Sequence, residues 1–181
     1  MRNLLIFSGF MFATFFLLKC SVDEANAQVP PFPLPEFTET SKDKWINSDP
    51  LTIDELKGSV LLVDIWTFAC WNCYRSFPWM NQLEAKLKDK PFKVIGIHTP
   101  EFEYEKVRNS VEEKAKKFKL SHPIMMDNEF EYWRKLNNQY WPTYYLVDKT
   151  GTVRYRFIGE THANTSKAKK IEAAIHSLLA E

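Results

Sequence analysis

The run Val60-Leu61-Leu62-Val63, continuing through Asp64 and Ile65 to Trp66, constrains the fold more than any other feature of this chain. Apolar side chains that follow one another without alternation belong to a strand covered on both faces, the situation found inside a parallel sheet. The chain has the material for such a core: 181 residues, of which 45% are hydrophobic and 15% aromatic, suffice for one ordinary globular domain. Five glycines and ten prolines exclude collagen-like and low-complexity readings. Lys plus Arg number 24 against 23 for Asp plus Glu, so a net charge of +1 draws the protein toward neither nucleic acid nor an anionic membrane.

The segments behind the run alternate in type. From Asn72 to Lys88, Phe77, Met80, Leu83 and Leu87 recur at helical spacing, with Pro78 as the expected kink. A second buried strand, Phe92 to Ile97, leads into a charged helix from Tyr104 to Phe118 whose apolar stripe is Val107, Val111, Ala115 and Phe118. A short strand at Ile124 to Met126 and a short helix at Phe130 to Leu136 follow. Strands at Thr143 to Val147 and Val153 to Ile158 are joined by the hairpin-type turn Asp148-Lys149-Thr150-Gly151. A last helix, Ser166 to Leu179, carries Ile171, Ile175, Leu178 and Leu179 on one side. The pattern is that of an α/β fold, a central mixed sheet flanked by helices. Residues 28–44, proline-rich at the start, read as an extended linker, leaving 45–181 as the folded domain.

Arg2 and the apolar run Leu4 to Leu18, which is shorter than the ~20 residues of a membrane span, read as a secretory signal with a small-residue cleavage site at Ala25-Asn26-Ala27. Residues 1–27 are then a signal peptide. An uncleaved tether through the N-terminus is the alternative, and lipidation of Cys20 is disfavoured by Lys19 in front of it. All three readings place the folded part outside the cytoplasm, where disulfides persist.

After cleavage at Ala27 the only cysteines are Cys70 and Cys73. They follow the buried strand and open a helix, so Cys70 belongs at a helix N-terminus, where unpaired N–H groups and the macrodipole stabilise a thiolate. Cys73, one turn further in, suits the resolving role in disulfide exchange. A closed zinc site is disfavoured because no second Cys pair or His pair accompanies them. A copper chaperone, with His98 as third ligand, remains open. Asp64 is a carboxylate inside an apolar strand, where burial raises its pKa and fits it to move a proton during exchange. Pro142 begins a strand and is a candidate cis proline. Trp66 and Trp71 are candidates for the walls of the site, or for core.

These residues resemble the thioredoxin superfamily over roughly 50–180: Val63-Asp64-Ile65-Trp66 before Cys70-x-x-Cys73, then Pro78, Trp141-Pro142-Thr143, Gly151 and Gly159. Trp66 through Cys73, Gly96-Ile97-His98-Thr99-Pro100-Glu101-Phe102 and Tyr140-Trp141-Pro142 look like the extracytoplasmic TlpA-like branch, closest to the DipZ-type C-terminal thioredoxin domain. The resemblance implies a thioredoxin-like fold with an inserted helix and strand between about residues 100 and 127. It implies Cys70 as nucleophile, Cys73 as resolving thiol, Asp64 as buried acid and Pro142 as cis proline, with Trp71, Trp141, Pro142 and Thr143 meeting the substrate. Partners would be protein thiols and disulfides and a separate membrane electron donor, with neither metal nor cofactor, and a monomer is expected. Two positions depart from the pattern: Ala69, where thioredoxins usually have Trp, and Ser76, where cytochrome-maturation members carry a buried Glu. Thr67, three residues before Cys70, also fits a peroxiredoxin-like thiol peroxidase, although the proline of that motif is Val63 here. Either direction of exchange is compatible with Trp71-Asn72 between the cysteines.

Overall fold

A computed structural model describes residues 27–181. Its seven strands are β1 (Gln28–Pro33), β2 (Trp45–Ile46), β3 (Val60–Trp66), β4 (Phe92–His98), β5 (Ile124–Met126), β6 (Thr143–Val147) and β7 (Thr152–Ile158). The helices are α1 (Ile53–Leu56), α2 (Trp71–Leu87), α3 (Arg108–Lys117), α4 (Glu131–Lys135) and α5 (Ser166–Ala180). The strands form one mixed sheet in the order β1-β7-β6-β3-β4-β5-β2. β3 pairs parallel with β4 and antiparallel with β6, and all seven of its residues are buried, as the unbroken apolar run requires.

Alternation along β3 divides the core in two. Val60, Leu62 and Trp66 join Cys73, Phe77, Met80 and Leu83 of α2, Val111 and Ala115 of α3, and Ile171 and Ile175 of α5. Leu61, Val63 and Ile65 meet Ile53 and Leu56 of α1 and Tyr132 on the other face. Asp64 therefore points to the side that holds Cys73. The inserted α3 and β5 lie where the sequence placed them, and Pro78 is an exposed residue inside a continuous α2.

Two expectations are corrected, and Trp66 takes the second of its two readings. Residues 28–44 are no linker: β1 pairs antiparallel with β7, and Leu34 and Phe37 are buried against the sheet. Prolines are accepted there because β1 is an edge strand, where a missing N–H breaks no inner ladder. The charged helix from Tyr104 is two pieces, a 3-10 turn at Glu103–Lys106 followed by α3, and Val107 between them is 53% exposed instead of lying on the buried stripe. Trp66 is wholly buried, edge-on to Phe77 at 5.3 Å and to His98 at 4.9 Å, and so belongs to the core. β2 and α1 are too short to carry a periodic signal. Cys20 and all of the expected signal peptide except its last residue, Ala27, lie outside the described residues.

Candidate active site

The site is built where β3 ends and α2 begins. Cys70 is the N-cap of α2, half-buried in an extended conformation, and Cys73 is fully buried one turn in. The two are joined in a disulfide with their Cα atoms 5.3 Å apart. The backbone N–H of Cys73 donates to Sγ of Cys70 at 3.1 Å. An N-cap acceptor normally is an oxygen; here the acceptor is the sulfur, so the same N–H that caps the helix stabilises negative charge on Cys70 once the disulfide opens.

On the face of β3 that packs against α2, Asp64 is fully buried and neither carboxylate oxygen has a hydrogen-bond partner. Burial, reinforced by the charge of Glu84, pushes its pKa well above the usual carboxylate range. In register beside it on β4 is Gly96, whose missing side chain leaves the indole N–H of Trp66 within 3.0 Å of where a Cβ would stand.

The rim comes from four loops. The Trp141–Pro142 peptide is cis, Pro142 is buried, and its carbonyl accepts from Gly159 N at 2.8 Å. Thr143 is buried, its hydroxyl donating to the Tyr140 carbonyl at 2.7 Å. Trp141 donates its indole N–H to the Thr99 carbonyl at 3.0 Å and lies against Trp133, ring centroids 4.3 Å apart. Trp71 is 61% exposed, edge-on to Tyr74 and capped by the Arg75 guanidinium at 5.8 Å. Phe102, Tyr104 and Tyr140 are exposed as well. A large cavity of about 540 Å³, lined among others by Leu56, Asn81, Glu84 and His122, includes neither cysteine.

Glu105 and Asp127 were not singled out by sequence, and His98, Thr67 and Ser76 were singled out for other roles. Glu105 is fully buried; its carboxylate accepts from Thr67 Oγ1 and from the N–H groups of Ala69 at 2.7 Å, Glu101 at 2.8 Å and Phe102 at 2.9 Å. His98 places Nε2 3.3 Å from the Thr67 hydroxyl, its ring stacked on Phe68, and burial lowers its pKa to about 3. Thr67 is thus held by Glu105 and His98, and His98 is directed to Thr67. Asp127 accepts from Thr99 Oγ1 at 3.0 Å and from the Tyr132 and Trp133 N–H groups at 2.9 Å, tying the Thr99 loop to the start of α4. Ser76 donates to the Asn72 carbonyl at 2.7 Å and accepts from Thr161 N at 2.9 Å, so it fastens α2 to the loop after β7.

Comparison with known proteins agrees with this geometry. The Redoxin family matches residues 31–175. Protein DipZ of Mycobacterium tuberculosis is 39% identical over 126 residues, which are 68% of this chain and 18% of that protein. This chain therefore spans under a fifth of DipZ. The thiol-disulfide oxidoreductase YkuV of Bacillus subtilis is 29% identical over 82% of this chain and 95% of its own length. Among solved structures, a thioredoxin-like protein in the oxidized form superposes with a TM-score of 0.67 at 28% identity, covering 82% of this chain and 95% of the other. The matched family, the sheet order and the cysteine pair at the start of α2 together make this chain a member of the Redoxin family, a TlpA-like branch of the thioredoxin superfamily.

Proposed function

We propose that the chain is an extracytoplasmic thiol-disulfide oxidoreductase that exchanges disulfides with proteins through Cys70 and Cys73. The observation that carries this reading is the position of Cys70: half-exposed, at the N-terminus of α2, accepting the Cys73 N–H, and bonded to a cysteine that solvent does not reach. Helix-terminal placement favours the attacking thiolate, and burial of Cys73 keeps the resolving thiol from reacting first.

In the reductive direction the Cys70 thiolate attacks one sulfur of a substrate disulfide. That S–S bond breaks, the other sulfur leaves as a thiolate, and a mixed disulfide joins Cys70 to the substrate. Cys73 then attacks Sγ of Cys70, its proton is taken up at Asp64, and the substrate departs with its second sulfur reduced. The oxidative direction is the same sequence reversed. The unpartnered, buried Asp64 on the Cys73 side of β3 supports the proton-transfer role, since burial raises its pKa and makes it a better proton acceptor than an ordinary carboxylate. Trp71, Trp141 and Pro142 would meet the substrate chain, while Thr143, wholly buried with its hydroxyl given to the Tyr140 carbonyl, would support them from behind. The signal-like N-terminus supports secretion or tethering outside the cytoplasm, a protein of the membrane would restore the spent pair, and the working unit is a monomer.

The test is reduction of insulin disulfides by dithiol-charged protein. Turnover there, with little peroxide consumption and no stoichiometric Cu(I) binding, is the expected result. Peroxide turnover at a comparable rate would favour a thiol peroxidase, and Cu(I) binding without insulin reduction a copper chaperone. The peroxidase reading has less support, because the Thr67 hydroxyl is already engaged by Glu105 and His98.

A further inference from the structure

One buried charged cluster is left unused by the exchange chemistry, and it stands directly behind the turn that carries Cys70. Glu105 Oε1 accepts from Thr67 Oγ1 and, at 2.7 Å, from Ala69 N; Oε2 accepts from Glu101 N at 2.8 Å and Phe102 N at 2.9 Å. All four partners donate. A carboxylate, which only accepts, satisfies them, whereas an amide would turn its own N–H groups toward two of them. With the Thr67 proton directed to Glu105, the neutral His98 offers Nε2–H to the Thr67 oxygen, and Thr67 links the two side chains.

Ala69 precedes Cys70, so the Glu105 carboxylate is a negative charge held one residue from the sulfur that must itself become negative. The other charged groups nearby are differently engaged. Arg75 lies over Trp71 and is paired with Glu160 at 3.1 Å, while the Lys114 ammonium sits over the Phe68 ring at 5.7 Å. Asp64 is buried on the Cys73 side. Like charges oppose one another more strongly when one of them is buried, as Glu105 is, because solvent then screens the pair less.

We propose that Glu105 is a positioning residue that both shapes the Cys70 turn and sets the direction of exchange: its buried carboxylate disfavours the Cys70 thiolate, so the disulfide is the preferred state of the pair and the dithiol gives its electrons to substrate disulfides. This rests on the oxidoreductase reading and adds to it the reductive direction. The underlying rule is that stabilising the reduced form makes a strong oxidant, and destabilising it makes a reductant.

The experiment is the equilibrium of the intact protein with glutathione at neutral pH, paired with the thiolate absorbance of Cys70 against pH. In that equilibrium two glutathione molecules pass hydrogen to Sγ of Cys70 and of Cys73, the protein S–S bond breaks, and glutathione disulfide forms. Glu105→Gln is expected to move the equilibrium about fivefold toward the dithiol, ~20 mV for a two-electron couple, and to lower the Cys70 pKa. Thr67→Val, which keeps the charge and removes one donor that neutralises it, is expected to move the equilibrium about twofold the opposite way. A merely structural clamp would shift both variants in the same direction, and that outcome, or no shift in either, overturns the proposal. Where Glu105→Gln does not fold, Thr67→Val decides by its sign alone. Failure of the wild-type protein to exchange with glutathione or insulin would instead remove the oxidoreductase reading, so the two failures are distinguishable.

Discussion

The backbone N–H of Cys73 caps its own helix through the sulfur of Cys70, 3.1 Å away, so one hydrogen bond serves the start of α2 and the charge state of the reactive atom. Opening the disulfide leaves that donor aimed at Cys70. This geometry supports the proposed roles, with Cys70 as the sulfur that attacks and Cys73 as the one that waits.

Cys73→Ser is therefore expected to accumulate mixed disulfides between Cys70 and partner proteins, visible as ladders that collapse on reduction. Cys70→Ser should trap almost none. If the ladders appear with Cys70→Ser alone, the two roles are exchanged.

Asp64→Asn separates stability from activity. Below ~pH 3.9 the carboxyl is protonated in both folded and unfolded chains. As pH rises from there, the unfolded state ionises while burial keeps Asp64 neutral in the fold, so stability declines until the raised folded pKa is reached. The variant should accordingly melt higher than wild type at neutral pH, with the gain vanishing toward pH 4, and should slow exchange about 100-fold. A melting difference that does not change with pH would contradict an unpartnered, raised Asp64.

His98 acts with the opposite sign. Its pKa is lowered to about 3 by burial, against ~6.5 when unfolded, so the stability it contributes is complete above ~pH 6.5 and falls as pH drops toward 3. His98→Gln should flatten that acid limb of the stability profile, measured by denaturant unfolding across the same range. An unchanged slope would count against a neutral, buried imidazole.

Phe37 tests the lead-in segment. It is buried, edge-on to Trp45 at 5.3 Å and stacked on Tyr132 at 5.5 Å. Phe37→Ala is expected to cost about 3 kcal/mol in equilibrium unfolding. A cost within experimental error of zero would return residues 28–44 to the status of a linker.

Trp71 stands exposed beside Cys70 with its ring held by Tyr74 and Arg75. Trp71→Ala should raise KM for a protein disulfide about fivefold, ~1 kcal/mol, and leave kcat nearly unchanged. An equal loss in kcat would place the indole in the chemistry instead of in binding.

What the sequence determined by itself was whatever short-range pattern can express. The apolar run from Val60 to Trp66 announces a two-sided strand, the spacing of Phe77, Met80, Leu83 and Leu87 announces a helix, and the junction between them places Cys70 at a helix start. Each follows from backbone periodicity and burial within a few residues. Tertiary structure alone decided the rest. Glu105 is one acid among Glu101, Glu103 and Glu112; two of its donors, the N–H groups of Glu101 and Phe102, are its own chain neighbours, but only folding brings the turn before Cys70 over it and adds Thr67 and Ala69. The proline-rich lead-in became strand β1 because the free edge of β7 offered hydrogen bonds that no neighbouring residues could foretell. Val107 left the buried stripe because a 3-10 turn ends there, which resets the helical phase on which the stripe depended. Periodicity is a property of neighbours in the chain, whereas a buried charge or an edge pairing is settled by groups that meet only after the chain has closed on itself.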